Sequence, residues 1–326
     1  MRKILILLLL TFSWILSAAT SQDVKDENVK IKDYGERIAD LYKLDAGENY
    51  KDITDQVLAS SDTLQSVKDL ITQYQRRIYV FKYPSDGLTI YGFISVTPNE
   101  AGQPLEVLFR GGNRKFGLPN PGNPTTTYKD VTVISSTLRG GISEGQDEFG
   151  VADLDDIKNM IAYIPTLEQE LNITLHPSYT FALGSSRGGM EMFLSMEKYP
   201  ELQNFFDKAV SLSGLLDVND IINEREDMKQ MFIDDFGLQP GVNDEQWIAA
   251  RNPIGKVSTL RPSLSFLIIQ GTEDQRIPLK EGHDMTQKLQ QNGNTVTYWE
   301  INGGNHTLAN TPYIMERLVE WVSMDK

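Results

Sequence analysis

Apolar positions along this chain recur at two spacings, and the two alternate in blocks. Leu64, Val67, Leu70, Ile71 and Tyr74 fall three or four residues apart, which predicts an amphipathic helix. Residues 77–81 and 88–96 are β-rich runs joined by Tyr83-Pro84-Ser85-Asp86-Gly87, whose Asp-Gly step predicts a hairpin. Strand-like runs follow at 105–109, 131–135, 179–183, 209–212, 264–269 and 295–301. Helical patterns fall between them at 149–163 and from the end of the 179–183 run to Pro200, and a last helix runs from Pro312 with Ile314, Leu318, Trp321 and Val322 on one stripe. Such alternation predicts an α/β domain over 77–326, with a mostly parallel central sheet covered by helices on both faces. Two stretches break the rhythm. Residues 20–76 form a short helical extension, whose polar part to residue 60 carries one helix at 30–44 and packs loosely. Residues 215–261 are a helical, acidic insertion with Met228, Met231, Phe232, Phe236 and Trp247, placed where a lid would cover the site.

The apolar run at 179–183 leads into Gly184-Ser185-Ser186-Arg187-Gly188, a G-x-S-x-G pattern between a strand and a helix. In that context the central Ser186 sits alone at the tip of a sharp turn, and flanking glycines avoid collisions with strand and helix. A serine hydroxyl needs a base within hydrogen-bond reach, and the base needs an acid to hold its tautomer. Of the three histidines, His176 precedes a strand at its wrong end and His283 lies inside a helix, whereas His306 follows a strand in the loop Gly303-Gly304-Asn305-His306. In the order serine, acid, histidine, the acid belongs in the loop after 264–269, where Asp274 fits and the adjacent Glu273 competes. The strand at 105–109 runs into Arg110-Gly111-Gly112-Asn113, a turn whose exposed N–H groups could face an oxyanion beside the N–H of Arg187. Asp153, Asp155 and Asp156 read as helix N-terminal acids. Neither a metal-ligand cluster nor a phosphate loop nor an internal repeat appears, so no cofactor is expected.

Composition narrows the class. With 326 residues, 40% hydrophobic and 23% charged, the chain can bury one large core. A net charge of −14 argues against nucleic acid or an anionic membrane as partner. Met1-Arg2-Lys3, an apolar run over 4–16 and Ser17-Ala18-Ala19 have the parts of a signal peptide spanning 1–19, with export to the periplasm or beyond expected and no stable membrane insertion. Zero cysteines exclude disulfides, thiol catalysis and a cysteine-linked lipid anchor.

Over roughly residues 77–326 the sequence resembles the catalytic domain of the prolyl oligopeptidase family of serine hydrolases, which has the α/β-hydrolase fold. The resemblance rests on Ser85-Asp86-Gly87, on Arg139-Gly140-Gly141 with Phe149-Gly150 and Asp156, and on the Gly184 to Gly189 elbow. It rests also on the Gly271-x-x-Asp274-x-x-Ile277-Pro278 loop and Gly304-Asn305-His306. It implies that Ser186, Asp274 and His306 form the triad, Asp274 rather than Glu273 being the acid. The activity implied is that of an exported serine peptidase acting on a peptide or small ester substrate through an acyl-enzyme. A carboxylesterase on small molecules or glycans, or a non-catalytic binding protein on a hydrolase scaffold, are the alternatives. Two departures stand out. Arg110-Gly111-Gly112-Asn113 replaces the family's usual His-Gly-Gly-Pro with no tyrosine close behind it as a second oxyanion donor. The 57 residues from 20 to 76 are also too few for the β-propeller of the large peptidases.

Overall fold

The computed structural model describes residues 34–324 apart from 124, 125, 127, 129 and 312, so the expected signal peptide lies outside the described residues. In chain order the elements are α1 (residues 34–41), β1 (Tyr50–Asp52), α2 (Thr54–Ala59), α3 (Gln65–Gln73), β2 (Arg77–Ser85), β3 (Leu88–Val96), β4 (Leu105–Phe109), β5 (Thr132–Ser136), α4 (Asp153–Leu171), β6 (Thr180–Ser185), α5 (Arg187–Lys198), α6 (Pro200–Phe205), β7 (Lys208–Leu212), α7 (Val218–Glu224), α8 (Glu226–Phe236), α9 (Asp244–Arg251), β8 (Ser265–Gly271), α10 (Leu279–Gln291), β9 (Val296–Ile301) and α11 (Tyr313–Ser323). The nine strands make one sheet in the order β1-β2-β3-β5-β4-β6-β7-β8-β9. β1, β2 and β3 pair antiparallel and β3 pairs antiparallel with β5, while every pairing from β5 to β9 is parallel. This is the α/β-hydrolase architecture.

The hairpin turns on Asp86 and Gly87, both at positive φ (51° and 82°), as a two-residue primed turn requires. β2 runs on through Pro84 because the N–H of the even-numbered Lys82 faces β1, at Asn49 O, and β1 does not reach as far as residue 84.

Successive strand residues alternate between two cores. Val107, Phe109, Ala182, Phe266 and Ile268 face one layer with α4, α5 and α10. Leu108, Phe181, Leu183, Leu267 and Ile269 face the other with α1, α2, α3 and α11. The expectation for residues 20–76 is corrected here for its described part. That stretch is neither wholly helical nor loose: β1 adds an edge strand, and Ile38, Tyr42, Ile53 and Val57 are buried in the second core. Their four-residue spacings put a few apolar side chains on one face, which a mean polarity hides. α4 likewise begins and ends later than the 149–163 pattern, passing through Pro165 on its exposed side, and α11 is described from Tyr313. The insertion at 215–261 holds α7, α8 and α9 around a third core, where Phe232, Phe236 and Trp247 meet Phe149, Met190 and Leu194.

Candidate active site

β5, β4 and β6 lie side by side, so the chain steps one way from β4 to β5 and the other way from β4 to β6. Ligands of open α/β sheets bind at such a switch point, outside the carboxyl ends of the strands. Ser186 follows β6 and Gly111 follows β4 there. Ser186 has φ 55° and ψ −125°, a strained geometry for a non-glycine residue. The elbow closes only over glycine. A Cβ on Gly184 would lie 2.4 Å from the Gly188 carbonyl oxygen, and one on Gly188 would lie 2.0 Å from that of Phe109. The Ser186 N–H donates to Leu212 O at 3.1 Å, and its carbonyl accepts from Gly189 and Leu215 N–H, both at 2.9 Å.

The structure brings Ser186, His306 and Asp274 together. His306 Nε2 lies 3.0 Å from Ser186 Oγ, and His306 Nδ1 lies 3.0 and 2.9 Å from the two Asp274 oxygens. Asp274 Oδ1 also accepts from the N–H groups of Arg276 and Ile277, and Gln270 Nε2 donates to Oδ2 at 2.9 Å. The Asp274 side chain is fully buried and that of His306 is 12% exposed. Glu273 is exposed, its backbone N–H donating to Gly304 O and its carbonyl accepting from Gln275 Nε2. His283 lies on α10 and pairs with Glu300 of β9, and His176 lies before β6. An imidazole between a hydroxyl and a buried carboxylate can take the hydroxyl proton during attack on a carbonyl and return it to the leaving group.

As first residue of α5, Arg187 carries an N–H with no intrahelical acceptor. Its side chain has a second role that the sequence reading missed. The buried guanidinium donates to Glu191 at 2.6 Å, to both Asp147 oxygens at 2.8 Å, to Asp153 and to the Gly112 carbonyl at 3.1 Å, and it lies 4.3 Å from the Phe149 ring centre. Burial alone would favour its neutral form, but the carboxylates outweigh burial and hold it charged. Burial also pushes the Asp147 carboxyl up, yet Arg187 and two backbone N–H groups bring it below its usual value. Glu191 goes the other way: burial dominates and keeps its carboxyl well above the usual range. A signal existed in the sequence, because Arg187 and Glu191 are four apart on a helix buried on both sides, where a lone Glu needs a partner.

Asp153 and Asp156 are therefore more than solvated helix-start acids. Asp153 accepts from Gly150 and Val151 N–H and pairs with Arg187, while Asp156 is held by Arg139 and by Ser85 Oγ. These bonds join the Ser85-Asp86-Gly87 and Arg139-Gly140-Gly141 stretches to α4. Among the described residues no group of three or more His, Cys, Asp and Glu is placed to hold a metal ion, and no helix is long and apolar enough to cross a membrane.

The insertion leans over this edge of the sheet. Asn113 Nδ2 reaches Met231 Sδ at 3.3 Å, Arg114 pairs with Asp235 at 2.9 Å, and Arg225 donates to the carbonyls of Gln275 and Arg276. α8 thus touches the turn after β4, while Arg225, just before it, ties down the loop that carries Asp274.

The family model for prolyl oligopeptidases matches residues 130–324. The uncharacterized peptidase YtmA of Bacillus subtilis is 27% identical over 254 residues, 76% of this chain and 93% of YtmA. Among solved structures, the Pyrococcus horikoshii acylaminoacyl peptidase superposes with a TM-score of 0.60 at 18% identity, covering 74% of this chain and 40% of that one. A Mycobacterium tuberculosis puromycin-hydrolyzing peptidase superposes with a TM-score of 0.56 at 17% identity, covering 73% of this chain and 38% of that one. This chain therefore spans about two fifths of each of these two solved structures. At these identities the two superpositions speak for the fold.

Proposed function

This chain belongs to the prolyl oligopeptidase family, whose model covers more than half of it, and from that premise we propose a serine peptidase that cleaves peptide amides through Ser186, His306 and Asp274. The observation that carries this reading is the 3.0 Å approach of His306 Nε2 to Ser186 Oγ, with the other ring nitrogen on Asp274. Ser186 Oγ attacks the scissile carbonyl while His306 takes its proton, and Asp274 holds the imidazole and stabilises its charged form. The N–H of Arg187 and an N–H of the 111–113 turn stabilise the oxyanion. His306 then protonates the leaving amine, and water attacks the acyl-enzyme by the same route in reverse.

Esters pass through the same tetrahedral oxyanion, so the arrangement suits either carbonyl and the substrate decides. Matched p-nitroanilide and p-nitrophenyl ester substrates test this on the purified protein. A peptidase hydrolyses the anilides at a rate that Ser186→Ala abolishes. Turnover of the esters alone would move the reading to an acyl esterase, and turnover of neither to a binding protein. The charged start, apolar run and Ser17-Ala18-Ala19 support export with loss of residues 1–19. Mass measurement of the protein recovered from a periplasmic fraction checks this, and an intact N-terminus would reject it.

A further inference from the structure

Arg110 stands where the family usually has histidine, and its side chain does not reach into the cleft. The residue is 4% exposed. Its guanidinium donates to four main-chain carbonyls: Gly111 O at 3.1 Å, Arg114 O at 2.9 Å, Thr137 O at 2.8 Å and Phe116 O at 2.7 Å. It fills the inside of the 110–117 turn and makes no ion pair with a carboxylate among the described residues. Burial lowers its pKa to about 10, so it stays charged at neutral pH.

A trans peptide points its C=O and its N–H in opposite directions. With Gly111 O turned inward to Arg110, the N–H of Gly112 points outward. The peptide lies against the nucleophile, since a Cβ on Gly111 would be 3.2 Å from Ser186 Cβ and 3.0 Å from Ser185 O. The following carbonyl, Gly112 O, is braced by Arg187 Nη1 at 3.1 Å, so both faces of the glycine pair are fixed. Among the described residues the N–H groups of Gly111, Gly112 and Asn113 meet no protein acceptor, whereas the next one, Arg114 N–H, is taken up by Asp147. The Asn113 side chain is engaged with Met231.

We propose that Arg110 is a positioning residue whose hold on the Gly111 carbonyl presents the Gly112 N–H as the second oxyanion donor, opposite the Arg187 N–H. This rests on the serine-hydrolase reading above and deepens it. It gives the turn a donor without the tyrosine that many relatives use. A planar fork is needed because one side chain must serve four carbonyls at once, which the point charge of a lysine cannot do.

Arg110→Lys keeps the charge and loses the fork. Its kcat should fall about a hundred- to a thousandfold, as on loss of one oxyanion donor. A peptidyl trifluoromethyl ketone, which forms the tetrahedral adduct, should lose affinity by the same factor. Substrate binding to the Ser186→Ala protein should be unchanged when Arg110→Lys is added, a result that mere loosening of the fold would not give. Unchanged kcat, or equal losses in substrate and adduct binding, would overturn the assignment. If Arg110→Lys does not fold, [15N]glycine-labelled wild-type protein serves instead. The Gly112 amide proton should move downfield on adduct formation, and a Gly112 resonance that stays in place would overturn the proposal. An inactive wild type, or an active Ser186→Ala, would instead reject the underlying hydrolase reading.

Discussion

Asp274 collects hydrogen bonds from three elements: two N–H groups of its own loop, the His306 ring and the Gln270 amide from β8. Gln270 is fully buried and also donates to Ile277 O at 3.1 Å, so one amide ties the acid to the strand beneath it. A hydrogen bond to a charged group contributes about 1.5–3 kcal/mol, roughly ten- to a hundredfold in an equilibrium. Gln270→Leu should therefore lower kcat by at least about tenfold with KM little changed, and wild-type kcat in the variant would contradict that role. Ser186, His306 and Asp274 could be picked out in the sequence because their chemistry fixes residue type and strand-end position together. Choosing Asp274 over Glu273 took the family resemblance, since neighbours in a loop point apart and spacing cannot rank them. The role of Arg110 left no pattern to read because its partners are main-chain carbonyls, and that of the Arg187 side chain showed only in the four-residue spacing to Glu191, Asp147 and Asp153 being distant in sequence.

Among elements, the parallel strands announced themselves as short apolar runs, and the hairpin through Asp86-Gly87. β1 did not, because three residues with one half-buried side chain carry no alternation. The insertion was legible as helical but not in its attachment. Phe232 sits 5.0 Å from the Phe149 ring and 4.8 Å from that of Trp247, linking α8 to the segment before α4 and to α9. Truncating such a buried aromatic costs about 3–5 kcal/mol. Phe232→Ala should lower denaturant resistance by about that amount and expose residues 215–261 to early proteolysis, with a raised KM as α8 loosens over the turn after β4. Unchanged unfolding and proteolysis would show that the aromatic cluster does not anchor the insertion.

At the scale of the whole molecule, the sheet order places the switch point between β4 and β6, and the loops of three more strands converge on it. Apolar runs foretold the strands but not their order, which is set by pairings between distant segments. The same burial that builds the two cores also traps carboxyls. Glu281 on α10 accepts from the N–H groups of Leu216 and Asp217, yet burial outweighs them and pushes its pKa up to about 8. Glu197 is raised to about 9, chiefly by burial. Unfolded, such carboxyls release their protons near pH 4.5, whereas folded they keep them to about 8 or 9. The unfolded state thus binds fewer protons across that window, and stability falls as pH rises through it, by a few kcal/mol in order of magnitude. Thermal unfolding between pH 5 and 9 should show this decline, and Glu281→Gln should flatten it. A wild type that grows more stable toward pH 9 would contradict the assignment. On the proposed mechanism one hydroxyl, at residue 186, is activated by the imidazole at 306. Peptide mapping by mass spectrometry after fluorophosphonate treatment tests it most directly. One adduct on Ser186 is expected, absent from Ser186→Ala and formed about a thousandfold or more slowly in His306→Ala, whereas an adduct elsewhere, or undiminished labelling of either variant, would contradict it.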